Sequence, residues 1–337
     1  MTPFIPHPLI TNGHAQTVAG ILGKHPSIPN RTIHQHINLP DGDKLILSID
    51  LPLREDYHKP VVLLMHGLGG SGSSSYMLRH SRHLTQAGYV VVRFNHRGSG
   101  PAHLDYAREI YHSGRTADID AALHFIGIRW PGQESVAIGY SMSGNILLRY
   151  LGAGAHPGQG VEEGRRPPSH LSRALAICPP IDLETCSRVL VSPRNWHIHR
   201  YLIHHIKRQA RTVEARTSHI PRTQFPVGID LRTFDSLYTA PRAGFASRED
   251  YYAKCSAKPV LSRIKIPTTI LSSMDDPIVP ASIFRDLPKN ESVTLRVESA
   301  GGHMGFISRD VTKLGDRRWL DLHVVEWVEG TKYPSVS

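Results

Sequence analysis

Residues 61–65 read Val-Val-Leu-Leu-Met, closed in front by Pro60 and behind by His66-Gly67. An unbroken apolar run of that length between structure-breaking residues describes a strand buried on both faces, as in a parallel sheet covered by helices on each side. Two more such runs follow, Tyr89 to Phe94 and Ser135 to Gly139, separated by segments of helical patterning at Tyr76 to Ala87 and Thr116 to Ile128. The pattern resumes at Ala174 to Cys178, Thr268 to Ser272 and Ser292 to Val297, and ends in a helix over about Arg317 to Glu329. Alternation of this kind demands right-handed crossovers, so the expected class is α/β, with a mostly parallel, doubly wound sheet. Ahead of it, Thr32 to Leu39 and Lys44 to Leu51 flank Pro40-Asp41-Gly42-Asp43, which predicts an N-terminal antiparallel hairpin.

Between Cys178 and Ile264 the strand pattern lapses for longer than a compact loop allows, and the segment is polar, His-rich and compatible with helix. The expected organisation is therefore a core of residues 1–178 and 264–337 with a helical cap or lid insertion at 179–263. Gly152 to Ser169, rich in Gly and Pro, reads as a surface loop. Three cysteines without a CxxC pair predict neither a disulfide framework nor a zinc knuckle. With no signal-peptide pattern and no apolar stretch of membrane-spanning length, a cytoplasmic location is expected.

The formal charge of +10 raises the question of an anionic partner. Much of the excess lies between Arg188 and Arg222, mixed with Trp196, Tyr201 and Ile206. No RNA-type aromatic motif accompanies it, so no nucleic-acid partner is expected; a solvated helix face is the plain reading, and peripheral membrane contact through this basic cap is the alternative. His197, His199, His204 and His205 invite a metal site, but no carboxylate or thiolate is regularly interleaved with them, and no metal is expected.

Chemistry concentrates where strands end. Gly139-Tyr140-Ser141-Met142-Ser143-Gly144 follows an apolar strand and precedes a helical run, Asn145 to Leu151, the setting of a nucleophile elbow. So tight a turn needs small residues two before and two after the serine; taken alone, the same motif also serves as a capping turn into a helix. His66-Gly67-Leu68-Gly69-Gly70 follows the first buried strand, and glycines there let backbone amides approach a developing oxyanion. The expected donors are the amides of Leu68 and Met142. A serine nucleophile needs a histidine base and an orienting acid, later in the chain in the order acid, then histidine. Ser273-Met274-Asp275-Asp276-Pro277 and Ala300-Gly301-Gly302-His303-Met304-Gly305-Phe306 each follow a strand and meet that order. Of the adjacent acids Asp276 is preferred, with Asp275 capping or bracing the turn; taken alone, Asp276-Pro277 also serves as a plain turn initiator.

Together with Asn12-Gly13-His14-Ala15-Gln16-Thr17, Asn95-His96-Arg97-Gly98-Ser99-Gly100, Arg232-Thr233-Phe234-Asp235, Gly244-Phe245 and Tyr251-Tyr252, these motifs span most of the chain. The sequence resembles the YheT-like α/β-hydrolases, bacterial esterases related to the ABHD-type lipid hydrolases of animals. The resemblance implies an α/β-hydrolase fold, a Ser141, Asp276, His303 triad, and hydrolysis of carboxylic esters, short-chain or acyl-lipid, without a cofactor. The usual elbow there is Gly-X-Ser-Leu-Gly-Gly-Asn, from which Met142 and Ser143 depart. Arg97 could contact substrate, but the favoured reading is that it braces the active-site floor, paired with a carboxylate. An acyltransferase using the same acyl-serine, or a non-catalytic binding protein of the same fold, are the rival readings.

Overall fold

The computed structural model describes residues 1–22, 26–29, 31–100, 107–154, 164–216 and 222–331. After helix α1 (Gly13–Ile21), strands β1 (Thr32–Asn38) and β2 (Lys44–Asp50) form the predicted antiparallel hairpin, with Asn38 paired to Lys44 across the turn. Then β3 (Val61–Met65), α2 (Ser75–Gln86), β4 (Val91–Asn95), α3 (Thr116–Arg129), β5 (Ser135–Tyr140), α4 (Met142–Ala153) and β6 (Leu171–Ile177) alternate. The sheet is completed by β7 (Thr268–Ser273) and β8 (Val293–Glu298), in the order β1-β2-β4-β3-β5-β6-β7-β8, parallel from β4 to β8.

Alternate residues of β3 enter two different cores, the reason that run is apolar throughout. Val61, Leu63 and Met65 pack with Ile119 and Leu123 of α3 and Ile146 of α4. Val62 and Leu64 pack on the other face with Met77 and Leu84 of α2 and with Leu320 and Val324 of the last helix. Each fully buried aliphatic side chain in such a layer contributes roughly 1.5–3 kcal/mol.

Between β6 and β7 the described residues form only helices and turns: α5 (Leu183–Leu190), α6 (Trp196–Arg216), α7 (Leu231–Phe234), a π-helical turn (Asp235–Thr239), α8 (Ala240–Arg242) and α9 (Arg248–Cys255), followed by a 3-10 turn (Lys258–Arg263). Helix α10 (Trp319–Val328) closes the chain's described part.

Two local readings of the sequence need correction. Gly152 and Ala153 belong to α4 rather than to a loop, because a glycine lets the helix lie against the 3-10 turn: a Cβ at Gly152 would stand 2.3 Å from the Val260 carbonyl oxygen. The remainder of that predicted loop falls partly on residues 155–163, outside the described residues. Helix α4 also begins at Met142, before Asn145, since Ser141 itself occupies the N-cap position.

Candidate active site

Strand β5 delivers Ser141 into a turn at φ 51° and ψ −119°, a backbone region that side chains seldom enter. Gly139 makes the turn possible, since a Cβ there would lie 2.5 Å from the Ser143 carbonyl oxygen. Across the sheet, the loops after β7 and β8 bring Asp276 and His303 to the same rim, the carboxyl edge of parallel strands where α/β sheets carry their sites. Ser141 Oγ lies 2.8 Å from His303 Nε2, and His303 Nδ1 lies 2.8 Å from Asp276 Oδ2.

The two adjacent aspartates divide their contacts. Asp276, buried, also accepts from the amides of Ile278 (2.8 Å) and Val279 (2.9 Å), so its turn fixes it facing the imidazole. Asp275 instead accepts from the Gly302 amide at 2.8 Å. It thereby steadies the histidine loop without touching the ring.

The amides of Leu68 and Met142, the donors expected for an oxyanion, differ from their neighbours in lacking an acceptor. On either side of Leu68, Gly67 donates to the Tyr76 hydroxyl (3.0 Å) and Gly69 to the Tyr111 hydroxyl (2.8 Å). Neither the Leu68 amide nor that of Met142, first residue of α4, donates to any acceptor among the described residues. Two unpaired donors beside a serine hydroxyl are what an oxyanion requires, and the N-terminus of α4 adds its partial positive charge. A Cβ at Gly67 would come within 3.1 Å of the Ser141 Cβ, which explains a glycine next to Leu68.

Helix α1, whose role motif reading left unassigned, holds the histidine loop from behind. Thr17 Oγ1 accepts from the His303 amide (2.8 Å), while Gln16 Oε1 accepts from the Ile307 amide (2.7 Å) and its Nε2 donates to the Ile307 carbonyl. Packing is close: a Cβ on Gly13 would overlap the Asp275 carbonyl, 1.7 Å away. The Asn-Gly-His-Ala-Gln-Thr run was the available signal, but one sequence does not show what a helix start will pack against.

Two buried networks underlie the elbow. Ser143 accommodates its hydroxyl by donating it to the His66 carbonyl and standing 2.6 Å from His96 Nε2, whose ring stacks on Tyr111. On the opposite face Tyr140 OH meets His80 Nδ1 at 2.5 Å, and His80 Nε2 meets Asp321 Oδ1 at 2.9 Å, with Arg79 Nε 2.6 Å from the other oxygen. Burial alone would raise the Asp321 carboxyl, but His80 and Arg79 outweigh it and hold it well below the usual range.

Arg97 pairs with Asp118 at 2.6 and 2.8 Å and with Asp41 at 2.5 Å, the carboxylate pairing expected of it. Among the described residues, the four histidines of α6 join no carboxylate or thiol in a metal-binding group. One such trio does exist, Cys178 with Asp276 and His303, whose ligand atoms lie within 4.8 Å of one another. Burial and the Asp276 carboxylate push the Cys178 thiol far up, and metals bind thiolate, so the trio suits a hydrogen-bond chain better than an ion. A cavity of about 610 Å³ opens over Ser141 and His303, bounded by the loops of the core on one side and by α5, α6 and the π-helical turn on the other.

A doubly wound sheet with a serine elbow at the end of its fifth strand defines the class. The alpha/beta hydrolase family matches residues 61–314, and the chain belongs to that family. Within it, the chain is 31% identical over 332 residues to "Putative esterase YheT" of Escherichia coli K12, covering 96% of this chain and 92% of that one. It is 29% identical over 259 residues to "Phospholipase ABHD3" of Homo sapiens, covering 74% of this chain and 59% of that longer protein. Solved structures share the fold: 2,6-dihydroxy-pseudo-oxynicotine hydrolase superposes with a TM-score of 0.55 at 16% identity, covering 96% of this chain and 74% of that one. An esterase of Pyrococcus furiosus follows at 0.51 and 16%, covering 91% and 96%. No helix among the described residues is long and apolar enough to cross a membrane.

Proposed function

We propose that the protein is a serine carboxylesterase acting on short-chain or acyl-lipid esters through an acyl-serine intermediate. One observation carries the reading, the unbroken chain Ser141 Oγ, His303 Nε2, His303 Nδ1, Asp276 Oδ2 with 2.8 Å at both hydrogen bonds. Ser141 Oγ forms a bond to the ester carbonyl carbon as its proton passes to His303 Nε2. The carbonyl oxygen becomes an oxyanion between the Leu68 and Met142 amides. Collapse breaks the bond to the alcohol oxygen, which takes the proton from His303. Water then attacks the acyl-serine, gives its proton to the same nitrogen, and the carboxylic acid departs as Ser141 regains its hydrogen. Asp276 keeps the imidazole in the tautomer that can accept, and no cofactor enters.

The described helices of segment 179–263 act as the cap, since they supply the wall of the cavity facing Ser141. Its helix α6 turns Arg200, Tyr201 and Arg208 to solvent, and Tyr201 also borders the cavity, so peripheral contact with a membrane would fall on this side. An acyltransferase shares every step but the last acceptor, and added alcohols that divert product from acid to new ester distinguish it.

The direct test is turnover of p-nitrophenyl esters by wild type and Ser141→Ala, with fluorophosphonate labelling of both. Loss of turnover and of label in the variant supports the reading; a variant that still turns over esters, or a wild type that takes no label, sinks it in favour of a non-catalytic binding protein.

A further inference from the structure

The cavity over Ser141 is lined mostly by apolar side chains, Leu183, Leu190, Ile206 and Phe234 among the buried ones, with a few polar groups set into the same wall. Ile21, Val18 and Tyr201 border it yet are half or more exposed, so they stand at its mouth. Its buried lining contains Gln209 of α6, Asp235 and Thr239 of the π-helical turn, and Tyr252 of α9, none more than 9% exposed. Asp235, Thr239 and Tyr252 bond to one another, whereas a polar atom withdrawn from water and left unpaired costs roughly 1–3 kcal/mol.

Two of them have capacity to spare. The side-chain oxygen of Gln209 is buried and has no hydrogen-bond partner. Asp235 accepts one bond on each oxygen, from Thr239 Oγ1 and Tyr252 OH, both at 2.7 Å, whereas a carboxylate accepts about four. The backbone carrying Asp235 and Thr239 is itself irregular, a single π-helical turn between α7 and α8, and such turns are frequent at functional sites.

The surroundings select the charge of the ligand group. Asp235 repels an anion. A cation meets the field of Arg232 and Arg248, both of which act electrostatically on Asp235. A neutral donor meets neither penalty. A hydroxyl is the group that also serves Gln209 whichever way its amide is turned, since it donates to the oxygen and accepts from the nitrogen.

We infer that Asp235 and Gln209 form a subsite for a hydroxyl group carried by the substrate away from its scissile carbonyl, so that the preferred ester is hydroxylated. The inference rests on the esterase reading of Ser141. Burial pushes the Asp235 carboxyl up to about 6, which leaves it an acceptor at neutral pH and in want of a further donor.

The experiment compares matched esters on the purified protein. One arm varies the acyl side, p-nitrophenyl hexanoate and octanoate against their ω-hydroxy counterparts. The other varies the alcohol side, propyl against hydroxypropyl esters followed by pH-stat. In at least one arm the hydroxylated ester should have a kcat/KM higher on the order of ten-fold, the usual effect of one buried hydrogen bond. Asp235→Asn and Gln209→Leu should each bring that ratio toward one, chiefly through KM; should Asp235→Asn fail to fold, Gln209→Leu carries the comparison. Plain and hydroxylated esters turned over alike by wild type in both arms, or a preference that both variants keep, overturns the subsite while leaving the esterase reading intact. Absence of turnover of any ester overturns both.

Discussion

The Ser143 Oγ and His96 Nε2 atoms lie 2.6 Å apart, and the same hydroxyl donates to the carbonyl of His66, one residue before the loop that presents the Leu68 amide. The side chain that departs from the related elbow pattern thus joins the elbow to the strand end from which the Leu68 loop begins. With the hydroxyl proton on the carbonyl, His96 is the donor to Ser143.

Ser143→Ala leaves a buried carbonyl and a buried imidazole with one partner fewer, so a loss of roughly 1–3 kcal/mol in stability is expected, readable as a lower urea midpoint. If the bond also sets the spacing of the two amides, kcat for p-nitrophenyl esters falls several-fold with KM little changed. A variant as stable and as active as wild type would show that the hydroxyl merely fits.

Asp276→Asn should reduce kcat on the order of 10³- to 10⁴-fold, because an amide in that place favours the wrong imidazole tautomer. Asp275→Asn, which keeps an acceptor for the Gly302 amide, should stay within about ten-fold of wild type. Steady-state kinetics on both decides, and a reversed order would transfer the acid's role to Asp275.

Thr17→Val removes the acceptor of the His303 amide without changing side-chain shape. The histidine loop then has one anchor fewer, and the expected result is a fall in kcat of about ten-fold with unaltered far-UV circular dichroism. Unchanged kcat would mean that Gln16 and Asp275 suffice to hold the loop.

Asp321 carries a pH signature. Its folded carboxyl titrates well below its unfolded value, so the unfolded chain binds the proton more readily, and the stabilisation is present above the unfolded pKa near 4 and lost as pH falls toward the folded one. Urea midpoints measured from pH 7 down to pH 3 should therefore drop more steeply for wild type than for Asp321→Asn. Parallel curves would deny Asp321 that part.

Much of the fold was legible because burial on two faces writes itself into consecutive residues. Val61 to Met65 appears in the structure with the bounds read from the run, and the hairpin around Gly42 and the helix Thr116–Arg129 follow their patterns closely. Serine, histidine and acid were legible as loop residues after strands, and the structure brings Ser141, His303 and Asp276 within hydrogen-bond reach of one another. Helix α1 was not read, since its partners lie some 290 residues away in sequence, as with Gln16 and Ile307.

By itself, then, the sequence determined the strands, their alternation with helices and the residue types at the strand ends, because each of these is a local consequence of side-chain pattern and backbone freedom. Only the tertiary structure decided which of two neighbouring aspartates meets the imidazole, which amides stay unpaired beside Ser141, and that Gln209 and Asp235 share the wall of one cavity. Those are matters of direction and of distance between remote segments, and no periodicity along a chain encodes which way a side chain will face across a pocket.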